Sequence, residues 1–491
     1  MKKPDKKINL LVVGIGPHAK RAYIPHLLNL NHDYGVEIAA IVELKEMESR
    51  TRNYFRSLQL SPEQIYIERF NGGVLPISTS KILDLLVKKL PLHGIIIATE
   101  PQAHKPFAMW ALKNGLHILM DKPITTRANV VTSEIEAQKI YLDYQELLQE
   151  YRTLNQKNKT IFSVHVQRRY HTGFHKVFDL IREVSDKTGC PITSIESTHA
   201  DGQWRLPSEL VDIAYHGYNQ GYGKVSHSGY HFFDLTYQLI KNSYIKGKWP
   251  DSADVFASFL LPRGLLMQLA EDDLYRCFSD DYKKFCRYTS DELSELTKGY
   301  GEIDARILVD FKKENTTICQ TSINLTHNSF TRRSWIEPND DLYKGNGRVK
   351  QETHIIQQGP FQSIHIHSYQ MKDQHDKNTR EDYDFGGNNH FDIHVFRNIG
   401  ILGGDAPHRK FTIDEILDGH FSDDPGLVIE RIKRSVVKEF LDAINGSIDS
   451  AQLISSIEDH EFTTRLMSAV YLSHVRRMNN KHPIISFPIS D

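Results

Sequence analysis

The sequence predicts an α/β protein: an N-terminal doubly wound parallel sheet, then a C-terminal α+β domain with a large, mostly antiparallel open sheet. Three observations carry this expectation. The chain has 491 residues, more than one hydrophobic core usually serves, so two domains are expected. Its first part alternates β-branched apolar runs with amphipathic helical runs, the pattern of βα units. From residue 190 onward the runs become alternating or β-branched strands such as "ADVFASFLL", "GEIDARILVDF" and "TTICQTSINL", which suit antiparallel pairing. The domains are placed at 1–166 and 167–491, with an insertion at about 330–419.

Composition narrows the classes of function. Hydrophobic residues at 40% and charged residues at 25% are ordinary for a globular chain. A formal net charge of -2 gives no electrostatic case for nucleic acid, which needs Lys and Arg gathered on one face. The cysteines, Cys190, Cys277, Cys286 and Cys319, form no C-x-x-C pair and no metal-finger spacing, which suits a reducing compartment. The start, "MKKPDKKINLLVVGIG", mimics a signal peptide. Its apolar run is short and ends in glycines, so a first β-strand explains it better, and a cytoplasmic protein with no membrane partner is expected.

In chain order, "INLLVVGIGPHAKRAYIPHLL" reads as strand, glycine turn and helix. Gly14, Gly16 and Ala19 fit G-x-G-x-x-G/A, the turn that brings a pyrophosphate against backbone N–H groups at a helix N-terminus. The next strand, "VEIAAIVEL", ends in Glu43, whose carboxylate would accept hydrogen bonds from ribose hydroxyls and repel a 2'-phosphate. NAD is therefore expected, with NADP less favoured, although Lys45 stands close by. "LHGIIIATEPQAHKPFAMWALKNGLHILMDKPITT" reads as a strand over 94–98, a helix over about 104–113, Gly115 as a stop, and a strand over 116–120 before Asp121, Lys122 and Pro123. Lys122 thus arrives at the carboxyl end of a parallel strand, where α/β sheets bind ligands. A long polar helical stretch follows, read as a solvated extension, and then a strand over about 160–166.

"ATEPQAH", "ALKNGLH" and "DKP", in that order after the glycine turn, resemble the Gfo/Idh/MocA family of nicotinamide-dependent oxidoreductases, with Asp121 where that family usually has Glu. The resemblance implies that Thr99, Pro101, His104, Asp121 and Lys122 border the cofactor and that Arg169, in the Arg-rich turn before the substrate domain, binds substrate, as do Tyr230 and Asp234. It also gives a place to "GYGKVSHSGYHFFDL", residues 221–235. Family members carry an Asp-x-Gly-x-His-x-x-Asp helix here. Aligned on it, His231 is the catalytic histidine, Asp234 the trailing aspartate, and His227 replaces the first aspartate. The implied chemistry is proton removal from a hydroxyl by His231, with Lys122 stabilising charge on the same oxygen and His227 beside them. Tyr230 could offer a phenol to substrate, or pack.

Taken alone, His227 and His231 share one helix face and leave two further readings open. A metal clip would need a third ligand at recognisable spacing, and none is visible, so no metal is expected. Two structural histidines without chemistry are the other reading.

Between about 330 and 419 the chain turns into polar Gly/Asn/Asp-rich loops around a strand in which His365 and His367 alternate with Ile364 and Ile366. His354, His375, His390 and His394 make this segment histidine-rich, and Arg332, Arg333 and Trp335 suggest contact with a sugar or phosphate. The tail has helical periodicity through Phe440, Leu441 and Ile444, then Leu466, Met467, Val470 and Tyr471. The expected function is NAD-dependent hydride transfer to or from a sugar, sugar derivative or cyclitol in a homo-oligomer. A redox-neutral epimerase or glycosidase that recycles NAD, and a non-enzymatic nucleotide-binding regulator, are the alternatives.

Overall fold

The computed structural model describes residues 7–70, 73–157, 159–212, 216–337, 347–371, 383–417 and 427–490. His375 and parts of the polar loops of the 330–419 segment fall outside them. The chain forms two compact units that are not contiguous in sequence: one comprises 1–127, 140–170 and 428–464, the other 128–139, 171–427 and 465–491.

The first unit holds β1 (Ile8–Val13), α1 (Pro17–Ala22), α2 (Ile24–Tyr34), β2 (Val36–Leu44), α3 (Glu48–Ser57), β3 (Glu63–Ile67), α4 (Ile77–Lys89), β4 (Gly94–Ile97), α5 (His104–Lys113) and β5 (His117–Asp121). It continues with most of α6 (Glu134–Asn155) and β6 (Phe162–His165). The strands pair in parallel in the order β3-β2-β1-β4-β5-β6, the doubly wound arrangement whose order reverses between β1 and β4. The "GIII" of β4 is buried throughout, as expected for a strand covered on both faces. The helix expected after β1 is broken at Tyr23. Pro25 lacks the N–H that would bond to the carbonyl one turn back, so the ladder restarts as α2.

α6 corrects the expectation of a solvated extension. Ile140, Tyr144, Leu147 and Tyr151, at helical spacing, are buried. The Tyr144 hydroxyl donates to the Ile457 carbonyl at 3.0 Å and Tyr141 to Glu461 at 2.7 Å. The helix Val428–Ile444 buries Ile432, Val436, Val437, Phe440 and Leu441 in the same unit, with the Phe440 ring against Gly94 of β4.

The second unit is built on α7 (Thr172–Thr188), β7 (Ser194–Ala200), α8 (Pro207–Asp212), α9 (Tyr230–Asn242), β8 (Ser252–Leu260), β9 (Asp304–Lys313), β10 (Thr316–Thr326), β11 (Lys350–Gln358), β12 (Gln362–Gln370), β13 (Asp392–Arg397), β14 (His408–Thr412) and β15 (Ile485–Pro488). These strands form one sheet in the order β14-β13-β12-β11-β7-β10-β9-β8-β15. Every neighbour pair is antiparallel except β7 with β10. Burial alternates along β8, β9 and β12, so one face of the sheet is covered and the other is open. The segment taken as an insertion is integral to this sheet, because β11 to β14 extend it from β7 to one edge. Polar loops between those strands hid the hairpins in the sequence.

Candidate functional site

In the first unit the glycine turn closes over the end of β1. Gly14 has φ +85°, and a Cβ there would meet the Ala98 carbonyl oxygen at 2.7 Å, so neither its conformation nor its surroundings admit a side chain. A Cβ on Gly16 would meet nothing within 4 Å, which leaves the backbone open to a close ligand. Ala19 is fully buried beneath the turn. Glu43 stands at the end of β2, and its carboxylate accepts from Ile15 N at 2.6 Å and Leu44 N at 2.7 Å. It therefore braces the glycine turn, a role not expected of it, and keeps lone pairs for further donors.

The second wall of the turn is set by His104, which is fully buried. Its Nδ1 lies 2.8 Å from the Pro123 carbonyl and its Nε2 3.0 Å from the Thr99 carbonyl. It fastens the Thr99 to Pro101 turn after β4 to the Lys122–Pro123 turn after β5. Asp121 ends β5 and Lys122 follows it, partly exposed. Burial would raise the Asp121 pKa, but His18, Lys122 and His165 outweigh it and hold the carboxyl below its ordinary value.

Sequence reading missed what surrounds Asp121. His18 Nε2 stands 3.5 Å from Asp121 Oδ1, and Asp121 and His165 are register partners on β5 and β6. Tyr23 touches both rings, at 5.5 Å from His18 and 5.2 Å from His165 between centroids, and its hydroxyl is 2.8 Å from His165 Nδ1. Burial lowers the pKa of His18 and takes that of His165 to about 3. His18 lay in view inside the glycine motif, but nothing in the sequence linked it to a strand some 150 residues away.

Arg169 corrects the substrate-binding expectation. It belongs to the first unit, and its guanidinium is spent on Asp459 Oδ2 at 2.7 Å, the Asp459 carbonyl at 3.0 Å and the Ile454 carbonyl at 3.1 Å. Arg333 is corrected likewise. It makes a bidentate pair with Glu209, at 2.8 and 2.6 Å, and bonds three backbone carbonyls, so it serves folding of its own unit.

In the second unit, residues Val225–Gly229 form a π-helical turn that leads into α9. Such turns often mark functional positions, since the extra residue re-aims side chains. His227 is buried here. Its Nε2 lies 3.2 Å from the Tyr218 hydroxyl, its Nδ1 3.0 Å from Ser228 Oγ, and its ring stacks on His216 at 4.0 Å. His231 is partly exposed one turn on, while Asp234 and Tyr230 are fully buried. Full burial of Tyr230 favours the packing alternative over contact with substrate.

Beside this turn lies a cluster that sequence reading passed over. Lys224 is fully buried, donates to Asp201, and stands 3.0 Å from His199 Nδ1. Arg348 adds a 2.9 Å bond to Asp201. Burial would raise Asp201, yet the cations, Lys224 first, hold it well below the carboxylate range. Burial lowers Lys224 to about 8. Glu302 anchors the start of the π-helical turn, accepting from Val225 N at 2.6 Å and from the Tyr471 hydroxyl at 3.0 Å. Burial raises its carboxyl to about 7.

With this geometry in hand, comparison with known proteins locates the chain. Residues 8–141 match the family model described as oxidoreductase family, NAD-binding Rossmann fold, of Gfo/Idh/MocA type. The resemblance read from "ATEPQAH", "ALKNGLH" and "DKP" therefore holds over residues 8–141. No curated protein matches the sequence.

Solved structures resemble the fold end to end. An aldose-aldose oxidoreductase from Caulobacter crescentus complexed with glycerol is 12% identical with a TM-score of 0.56, over 99% of this chain and 100% of that one. A 3-ketoreductase from Actinomadura kijaniata in complex with NADP and TDP-benzene is 12% identical with a TM-score of 0.54, over 95% and 97%. The apo scyllo-inositol dehydrogenase from Lactobacillus casei is 13% identical with a TM-score of 0.53, over 98% and 99%. No helix among the described residues is long and apolar enough to cross a membrane.

Proposed function

We propose that this protein is an NAD(P)-dependent oxidoreductase that moves hydride between nicotinamide and a carbon of a sugar, sugar derivative or cyclitol. The observation that carries the reading is the end of the parallel sheet: the forced glycine at 14, the open backbone at Gly16, and Lys122 at the carboxyl end of β5. These residues fit a dinucleotide. A pyrophosphate needs close access to backbone N–H groups, and Gly16 offers it. Nicotinamide, when bound, supplies the hydride acceptor or donor.

The residues of the chain handle the proton. His231 accepts the hydroxyl proton of an alcohol substrate as hydride departs, or returns it in reduction. The Lys122 ammonium donates a hydrogen bond to the oxygen on which negative charge develops. His227 replaces a carboxylate by an imidazole already engaged with Tyr218 and Ser228, so it contributes one donor and one acceptor and no fixed negative charge. That favours a substrate or direction different from one that needs an aspartate there. The aldose-aldose oxidoreductase and the scyllo-inositol dehydrogenase that share this fold support the substrate class.

Glu43 argues for NAD, while Lys45 and Arg69 at the ends of β2 and β3 are paired with Glu68 and Glu46, at 3.1 and 2.6 Å, and could turn to a 2'-phosphate. The test is a titration with NADH and then NADPH, following energy transfer from tryptophan, followed by turnover of a panel of sugars and cyclitols. Tighter NADH binding and turnover of a polyol support the reading. Binding of neither nucleotide would move it to a non-enzymatic role. Solvent deuterium in a product without net NADH would move it to redox-neutral recycling.

A further inference from the structure

We propose that His18, Asp121 and His165 form a binding site for a divalent first-row metal ion of the zinc or cobalt type. One ligand atom from each residue lies within 4.8 Å of the other two, and no other group of three such residues comes this close among the described residues. Ligands about 2.0–2.1 Å from a tetrahedral ion stand about 3.3–3.5 Å apart. The His18 to Asp121 pair is already at 3.5 Å. His18 is about 40% exposed and sits on the short α1, so a small ring rotation completes the approach, while Asp121 and His165 are held by adjacent paired strands.

The donor set suits the ion. Two imidazole nitrogens and one carboxylate oxygen favour zinc, cobalt or nickel over magnesium or calcium, which take oxygen ligands. The outer contact suits it too. His165 Nδ1 lies 2.8 Å from the Tyr23 hydroxyl, a contact that holds the ring in place. His18 Nε2 is buried and forms no hydrogen bond. Three protein ligands leave a coordination position for water or a substrate oxygen.

The inference does not depend on the oxidoreductase reading, although Asp121 is also expected beside the cofactor and His18 lies inside the glycine motif. Full-length protein is stripped with a chelator and titrated with zinc by calorimetry and with cobalt by visible absorption, in the absence of nucleotide. The expected result is one ion per chain with the absorption of low-coordinate cobalt. His18→Gln and Asp121→Asn should each weaken binding about a hundredfold or more, and Tyr23→Phe about tenfold through the lost outer contact. His18 is partly exposed, so His18→Gln should fold, and its metal-free melting temperature checks that it does. Failure of the wild-type protein to bind one ion overturns the proposal. So does binding that survives His18→Gln but is lost in His365→Ala, which would place the ion on the exposed histidine face of β12. The NADH titration is scored separately: metal without NADH leaves this site standing and the oxidoreductase reading fallen, and NADH without metal does the reverse.

Discussion

Lys122 is the residue on which the proposed chemistry turns. Replacing it with alanine removes a donor to developing charge without touching the glycine turn, so turnover should fall by ~10²–10⁴ while NADH binding stays nearly intact. Full activity in Lys122→Ala would remove the assignment. Glu302 makes a second residue-scale claim. Its carboxyl sits near 7 in the folded protein against 4.5 in the unfolded chain, so between those values the folded state holds the extra proton. Stability from this group is therefore present below about pH 4.5 and is lost as pH rises through 7, a change on the order of 3 kcal/mol at most. Glu302→Gln, read by denaturant unfolding at pH 5 and pH 8, should flatten that dependence. An unchanged slope would count against it.

At the scale of elements, the π-helical turn and α9 show how a sequence pattern gains a different meaning from its surroundings. In the stretch "GYGKVSHSGYHFFDL" the spacing of His227 and His231 is the visible pattern. Lys224, three positions before His227, has no sequence signal of its own, yet it is buried against Asp201 and His199. Removing one partner of such a cluster strands a buried charge, so Lys224→Met should cost roughly 3–5 kcal/mol. Chemical denaturation measures this, and a loss below about 1 kcal/mol would mean that Arg348 alone satisfies Asp201. α6 teaches the same lesson, since its buried Ile140, Tyr144, Leu147 and Tyr151 were diluted by charged neighbours and the partner segment, 457–461, is far along the chain.

For the whole molecule, the division into units has a practical consequence. The six-stranded sheet draws its cover from 428–464, where Phe440, Val436 and Val437 are fully buried. A fragment of 1–170 would expose that apolar surface and should aggregate or fail to show a cooperative melt. A soluble 1–170 fragment that melts cooperatively and binds NADH as the full chain does would refute this dependence. The open face of the nine-stranded sheet carries exposed Leu308 and Phe396, and sedimentation of the full chain would show whether it pairs with a second copy.

The sequence by itself determined the strand and helix order of the first unit, the glycine turn, the position of Lys122, and the period-two strands β8 to β10. Each of these depends on residues close together in the chain, where periodicity and turn chemistry act directly. Only the tertiary structure decided that Arg169 and Arg333 are ties within the fold, that Tyr230 packs, that 350–412 completes the sheet, and that His18, Asp121 and His165 converge. The physical reason is range: a guanidinium looks the same in sequence whether its carboxylate is a substrate's or that of Asp459, and a ligand set spread over one helix and two strands has no local spacing to read.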